Sequence, residues 1–240
     1  MRSLIKQAFR RAGLDVRPAS TMHLWEVRLA ELLQRRGINW LIDIGANKGN
    51  YADAIEQAGY GGRFLLIEPL PDAHAVLSRR AAARKERWVV AQPMAISDYR
   101  GEAMFQVAAN SESSSLLPML DTHVAAAPES RVEATIPVHV DRLDAVLEAG
   151  KVDAKCFVKI DTQGNEARVL QGAGRYLDTL IEGIQVEMSF ELFYEGQESS
   201  LAVHRTLTER GFECWDLIPG WRNKSSLRLM QFDAVYLRKS

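Results

Sequence analysis

Short apolar runs alternate with amphipathic stretches along most of the chain. Five such runs are predicted to be strands, and one of them, residues 63–68, is continuously apolar, which is typical of a strand covered on both faces. The five runs lie at residues 40–44, 63–68, 88–91, 155–161 and 183–188. Helices are predicted over residues 21–36, 50–58, 71–85, 141–148, 165–171 and 199–210. In the first two, apolar residues fall on one face, with Thr21 as the cap of the first helix and Gly37 and Gly59 as the stops. The alternation of strand and helix predicts an α/β fold, a mostly parallel sheet with helices on both faces.

Two parts of the pattern depart from this alternation. Residues 101–107 and 135–140 predict an added pair of strands, separated by a polar loop at residues 110–134. A loop of this length inside a domain is usually functional or disordered. The last two predicted strands, residues 212–218 and 231–237, have no helix between them. They are therefore predicted to form an antiparallel hairpin.

The first strand ends in an acid and runs through a glycine turn into a helix. The segment is Trp40-Leu41-Ile42-Asp43-Ile44-Gly45-Ala46-Asn47-Lys48-Gly49-Asn50. Such a turn leaves backbone N–H groups free for a ligand. A dinucleotide site would require Gly-x-Gly-x-x-Gly, but Asn47 takes the second glycine position and Asn50 the third. The carboxylate of Asp43 suits a cationic cofactor better than a pyrophosphate. We therefore predict S-adenosylmethionine (SAM), with NAD(P) as the alternative.

A second acid, Glu68, ends the second strand, 25 positions after Asp43. A carboxylate there can accept hydrogen bonds from both hydroxyls of a ribose. The cofactor would lie across the carboxyl ends of the strands, where open α/β sheets bind ligands.

Several motifs in register resemble those of the FkbM-type methyltransferases, a group within the class I SAM-dependent fold. The motifs are Leu41–Tyr51, Ile67-Glu68-Pro69, Ala95-Ile96-Ser97-Asp98, Ser113-Ser114-Ser115-Leu116, Val138–Asp144, Val158–Glu166 and Gln231–Tyr236. The resemblance implies a Rossmann-like, seven-stranded sheet whose last strand is antiparallel. It also implies O-methylation of a sugar, glycan or natural product. It covers about residue 38 to the end, so we expect a helical extension at 1–36 and a methyltransferase domain at 37–240.

The turn and the motifs give a set of expected SAM contacts, with Asp98 near the adenine. The set is Asp43, Gly45, Asn47, Gly49, Glu68, Pro69, Ser97 and Asp98.

Methyl transfer to a hydroxyl also requires removal of a proton, and strand-end carboxylates are the candidates. Asp161 ends one core strand and Glu187 lies near the end of the next. If the strands are neighbours, the two carboxylates could hold Mg²⁺ or another divalent cation, or one could act directly as the base. Asp161 could instead only cap the following helix. His139 is a further candidate for proton transfer, although a lone strand histidine is more often packed in the structure.

Composition narrows the classes of partner. The net charge is −1, so no general attraction to nucleic acid is expected. The two cysteines, Cys156 and Cys214, lie in apolar runs and are expected to be buried and reduced, as in a cytoplasmic protein. No apolar run is long enough to span a membrane. Residues 1–20 could form a basic amphipathic helix that touches a membrane surface, but a lid or packing helix is commoner. The expected methyl acceptor is a small molecule or glycan. Besides a SAM-dependent methyltransferase and an NAD(P)-dependent oxidoreductase, a catalytically silent cofactor-binding protein is the third possible function.

Overall fold

Two sheets organise the part of the chain that the computed structural model describes, residues 7, 9–14, 20 and 23–239. The strands are β1 Trp40–Ile44, β2 Arg63–Ile67, β3 Trp88–Val90, β4 Ala95–Ser97, β5 Gly101–Ala108, β6 Val132–Arg142, β7 Cys156–Ile160, β8 Ile181–Ser189, β9 Phe212–Pro219 and β10 Gln231–Arg238. The helices are α1 Trp25–Arg35, α2 Asn50–Gln57, α3 Pro71–Ala82, α4 Asp121–Ala126, α5 Leu143–Ala149, α6 Glu166–Gly172, α7 Tyr176–Thr179 and α8 Ser200–Glu209.

The large sheet has seven strands in the order β3-β2-β1-β7-β8-β10-β9. Strands β3, β2, β1, β7 and β8 pair in parallel, whereas β10 is antiparallel to both β8 and β9. The predicted α/β, Rossmann-like fold with an antiparallel last strand is confirmed, and the reversal of order at β1 and β7 opens a crevice at their carboxyl ends.

Both faces of the sheet are buried, which explains the continuous apolar runs. Along β1, Trp40 and Ile42 pack with α5, α6 and α8 residues into one cluster, while Leu41 joins a second cluster on the opposite face. The second cluster also contains Leu29 and Leu33 of α1. Helix α1 therefore packs on the sheet. Thr21, the expected cap of this helix, lies outside the described residues.

A small sheet with the order β4-β6-β5 lies beside the large one. The predicted pairing of β5 with β6 is present and is antiparallel, and β4, which the sequence did not indicate as a strand, pairs in parallel with β6. The connection from β5 to β6 carries α4 and two short 3₁₀ turns, Ser111–Ser113 and Pro128–Ser130.

One burial prediction is wrong. Cys156 in β7 is buried, but the Cys214 thiol is exposed, because β9 is the edge strand of the large sheet and pairs only with β10. Among the described residues, no helix has the length and apolar character needed to cross a bilayer.

Candidate active site

A cavity of about 410 Å³ opens at the carboxyl ends of β1, β2, β7 and β8. Its floor contains the glycine turn after β1 and the residues that follow β2 and β7. Its outer wall comes from the connection between β5 and β6. Four of the expected cofactor residues line this cavity, namely Gly45, Asn47, Glu68 and Pro69.

The turn after β1 is held by backbone contacts that allow no side chain at its first glycine. Gly45 has φ +82°, and a Cβ atom there would lie 2.0 Å from the backbone oxygen of Asp161. The N–H groups of Gly45 and Ala46 both donate to the Ile67 carbonyl, each at 3.0 Å. The turn is therefore fixed against the ends of β2 and β7, which is the close backbone approach that glycine permits.

Glu68 is buried, 4% exposed, and receives two backbone hydrogen bonds. Its Oε2 accepts from the Asn47 N–H and its Oε1 from the Leu70 N–H, both at 2.8 Å. Burial raises the pKa of Glu68 to about 7, although these two hydrogen bonds oppose the rise. Each carboxylate oxygen has a second lone pair, so Glu68 can still accept hydrogen bonds from a ligand in the cavity.

Asp43 does not line the cavity. It is fully buried, and neither of its carboxylate oxygens has a hydrogen-bond partner among the described residues. Its nearest cation is Lys159, whose Nζ lies 3.9 Å from Oδ1. Burial raises the pKa of Asp43 to about 6, and Lys159 opposes that rise. Asp43 therefore lies beneath the cavity floor, where it acts on the site through its charge, on Lys159 and on Glu68.

Lys159 belongs to the ion pair at the end of β7. Its Nζ lies 2.8 Å from Asp161 Oδ2 and 5.2 Å from the centre of the Tyr51 ring. Burial lowers the pKa of Lys159, but the Asp161 and Asp43 carboxylates outweigh burial and leave that pKa above its usual value. Lys159 is therefore charged, and it neutralises part of the negative charge of the site.

A glutamine connects the two predicted catalytic carboxylates. The Nε2 of Gln163 donates to Asp161 Oδ1 at 2.9 Å and to Glu187 Oε2 at 2.7 Å. Its Oε1 accepts from the Tyr194 hydroxyl at 3.0 Å. Gln231 donates a second hydrogen bond to Glu187 Oε2, at 2.8 Å. Asp161 and Glu187 are thus brought together as expected, but through an amide to which the sequence analysis assigned no role.

The two carboxylates do not fit a divalent cation. The Gln163 amide already occupies the facing oxygens of Asp161 and Glu187, and the Lys159 ammonium lies on the other side of Asp161. A cation would have to displace N–H donors and lie beside an ammonium. The described part of the chain also contains no group of three or more His, Cys, Asp or Glu side chains placed to hold a metal.

Burial and nearby negative charge both act on the pKa of Glu187. Burial raises the pKa of Glu187 well above its usual value, and the Asp161 and Asp233 carboxylates raise it further. A carboxylate with a raised pKa is a stronger base than an exposed glutamate. Glu187 also lines the cavity.

Four other predicted site residues do not line the cavity: Gly49, Ser97, Asp98 and His139. Gly49 forms the left-handed N-cap of α2. The third motif contributes Met94, Ala95 and Ile96 to the wall in place of Ser97 and Asp98, because β4 carries the chain past the cavity.

His139 is exposed on β6, where it pairs with Glu102 of β5, so the structure does not bring it to the two carboxylates.

The outer wall is attached to the floor at three points. Asn47 Nδ2 donates to Ser111 Oγ at 3.1 Å, and Ser115 Oγ donates to the Gln163 carbonyl at 2.7 Å. The single hydroxyl proton of Tyr194 is shared between Gln163 Oε1 and the Ser113 carbonyl oxygen, which lies 2.9 Å away. The segment that follows β5 is therefore an ordered wall of the cavity.

A cluster of rings completes this wall. His123 packs against Phe193, Tyr194 and Trp221, with ring centroids 4.8, 5.3 and 5.9 Å apart. His123 and Trp221 line the cavity. Burial lowers the pKa of His123 to about 4, so its ring is neutral at pH 7. From the sequence, His123 is expected to be a surface residue of a helix or loop, and this expectation is wrong: the ring is buried by residues that lie far away in the chain.

Comparison with known proteins gives one family match. The profile of the methyltransferase FkbM domain matches residues 43–214. A search of curated proteins found no significant match. Similar solved structures include a putative RNA methyltransferase from Pyrococcus horikoshii, with 11% identity, TM-score 0.45 and coverage of 90% of this chain and 84% of that chain. Another is a Burkholderia thailandensis 1,6-didemethyltoxoflavin-N1-methyltransferase with bound S-adenosylhomocysteine, with 12% identity, TM-score 0.44 and coverage of 100% and 87%.

Proposed function

The chain belongs to the methyltransferase FkbM domain family, and from that premise we propose that it is an O-methyltransferase that uses SAM to methylate a hydroxyl of a sugar, glycan or secondary metabolite. The observation that carries the choice of a hydroxyl is the Asp161–Gln163–Glu187 network in the cavity wall. An alcohol needs a base to lose its proton during transfer, and Glu187 is a base held in place by two amides.

The cavity suits SAM in shape and charge. At Gly45 and Asn47 the floor consists largely of backbone atoms, so a ligand can approach it closely. Glu68 offers its remaining lone pairs to the two hydroxyls of a ribose. The acids that line the cavity match a cofactor with cationic groups. When bound, SAM supplies an electrophilic methyl group. Met94 and Ile96 provide an apolar wall suited to the adenine.

Glu187 is the proposed catalytic residue, and Asp161 and Gln163 are positioning residues. During transfer an oxygen lone pair of the acceptor forms the new C–O bond, the C–S bond breaks, and its electrons stay on sulfur. Glu187 takes the hydroxyl proton. The Gln163 and Gln231 amides hold Glu187 Oε2, and Lys159 limits the repulsion between the two carboxylates.

The two alternatives are less well supported. An NAD(P)-dependent oxidoreductase would require room for a pyrophosphate at the turn, where the Asn47 side chain instead bonds Ser111. A catalytically silent binding protein would have no use for two half-buried carboxylates linked at the cavity wall by the Gln163 amide.

The test combines cofactor binding with product mass. Calorimetry should show binding of SAM and not of NAD. Incubation with SAM and a panel of glycans and metabolites should then yield one product heavier by a single methyl group, with the methyl on oxygen by NMR. Glu187→Gln should slow transfer by roughly 10²–10⁴-fold with unchanged SAM affinity. The matched control is Glu182→Gln on the same strand, whose carboxylate pairs with Lys155. Equal rates for the two variants would exclude Glu187 as the base, and methyl transfer to nitrogen would refute the proposed reaction.

A further inference from the structure

Acidic side chains outnumber basic ones among the described residues that line the cavity. Five carboxylates line it, those of Glu68, Glu112, Glu129, Asp161 and Glu187. Lys159 is the one Lys or Arg side chain among the described lining residues, and it is already paired with Asp161. The His123 ring adds no positive charge, because burial lowers its pKa to about 4.

Two of these acids are at the outer wall, away from the Glu187 network. The Asn110 side chain accepts from the Glu112 N–H at 3.1 Å, and the Asn110 N–H donates to the Glu129 carbonyl at 3.0 Å, so Asn110 joins the two segments. Both side chains are exposed, and within the described part of the chain neither carboxylate has an ion-pair partner. Their charges are therefore available to a ligand.

A buried polar atom beside them also lacks a partner. His123 is 3% exposed, its ring lines the cavity, and its Nδ1 has no hydrogen-bond partner among the described residues. Glu129 is close enough to act on His123 electrostatically. The half-buried Trp221 ring packs 5.9 Å from the His123 ring. A carboxylate, an imidazole lone pair and an indole face in one wall all attract a cation.

We infer that the acceptor is a hydroxyl-bearing molecule that also carries a protonated amine, held by Glu129, His123 and Trp221. This inference rests on the proposed function and narrows its substrate class. The ammonium can donate to the Glu129 carboxylate and to the imidazole, while the Trp221 face covers its C–H groups. A phosphorylated acceptor, including a nucleic acid, would instead meet Glu112, Glu129 and Glu187 with no unpaired cation in the described wall.

The test is equilibrium binding to the full chain saturated with S-adenosylhomocysteine. Three probes share one ring and differ in charge: methyl glucosaminide, its N-acetylated form, and methyl glucoside 6-phosphate. Titration by NMR should show the free amine binding about tenfold or more tightly than the acetylated probe, the factor that one desolvated cation contact provides. The phosphate should bind weakest. The preference for the amine should also fall as salt is added.

A matched pair of variants keeps the result interpretable. Glu129→Gln should remove the preference for the amine while leaving the affinity for S-adenosylhomocysteine unchanged. Glu102→Gln, on the exposed face of β5, should retain the preference. Equal binding of the three probes, tightest binding of the phosphate, or binding of none would overturn the inference. Failure of S-adenosylhomocysteine to bind would instead overturn the proposed function, so the two failures are distinguishable.

Discussion

Replacing Gln163 by Met should raise the pKa of Glu187. Methionine has nearly the same length as glutamine but cannot donate a hydrogen bond. The change removes one of the two N–H donors to Glu187 Oε2, the one at 2.7 Å, and leaves the Gln231 donor at 2.8 Å. Amide donors stabilise the charged carboxylate, so their loss favours the protonated form.

The size of the shift follows from the bonds that are lost and kept. A hydrogen bond to a charged group contributes about 1.5–3 kcal/mol, and one pKa unit corresponds to about 1.4 kcal/mol. Because Glu187 keeps its Gln231 bond, we take the lower limit and expect a rise of about one unit. Gln231→Met should give a smaller rise, since Gln163 would still separate Glu187 from the Asp161 carboxylate.

Carbon-13 NMR of labelled glutamate carboxylates gives the pKa without any acceptor, with the Glu187 signal assigned by its loss in Glu187→Gln. In methyl transfer, the acid limb of the pH–rate profile should move to higher pH by the same amount. Gln171→Met, an exposed position on α6, is the control and should shift neither curve. An unchanged or lowered Glu187 pKa in Gln163→Met would refute the assignment of Gln163 as a positioning residue.

Two further predictions concern the floor of the cavity. Glu68→Gln should weaken SAM binding by about tenfold or more, because an amide has one accepting oxygen where the carboxylate has two. Calorimetry compares this variant with Asp72→Asn, an exposed change in α3. Equal SAM affinities of the two variants would contradict the role of Glu68 in binding the ribose. Asp43→Asn should become more stable relative to the parent as pH rises. The folded pKa of Asp43 is raised by burial from 3.8 to about 6, so the folded parent holds its proton more tightly than the unfolded chain. Between about pH 4 and pH 7 the parent should lose about 3 kcal/mol of unfolding free energy relative to the variant. Urea titrations across this range measure the difference, and a constant difference would contradict the burial of Asp43.

The fold could be predicted because its signals are local. A continuous apolar run requires cover on both faces, and the seven-stranded sheet provides that cover at β1 and β7. The acids at strand ends were also informative, since parallel strands bring their carboxyl ends to one edge. Glu68, Asp161 and Glu187 therefore meet at one cavity.

The remainder of the site depends on side-chain geometry that spacing does not encode. Asp43 is inside β1 and lies in register with Lys159 of β7, two residues before Asp161, so its carboxylate lies below the floor while that of Asp161 lines the cavity. Gln163 stands in a left-handed backbone conformation, φ +55°, which directs its amide between two carboxylates. His139 lies on a strand of the small sheet, which the order of elements did not place relative to the cavity.

The close approach of Gly45 to the Asp161 carbonyl makes the floor of the cavity and its outer wall respond differently to substitutions. Because the turn and the end of β7 touch through backbone atoms, their spacing is independent of side-chain replacements around them. The opposite wall is a connection between two strands of the small sheet, attached to the floor by side-chain hydrogen bonds such as that from Asn47 to Ser111. Exchange of the rest of the segment between β5 and β6, with Ser111 and Ser115 kept, should therefore alter this wall without moving the turn, and protein engineers can diversify that part first.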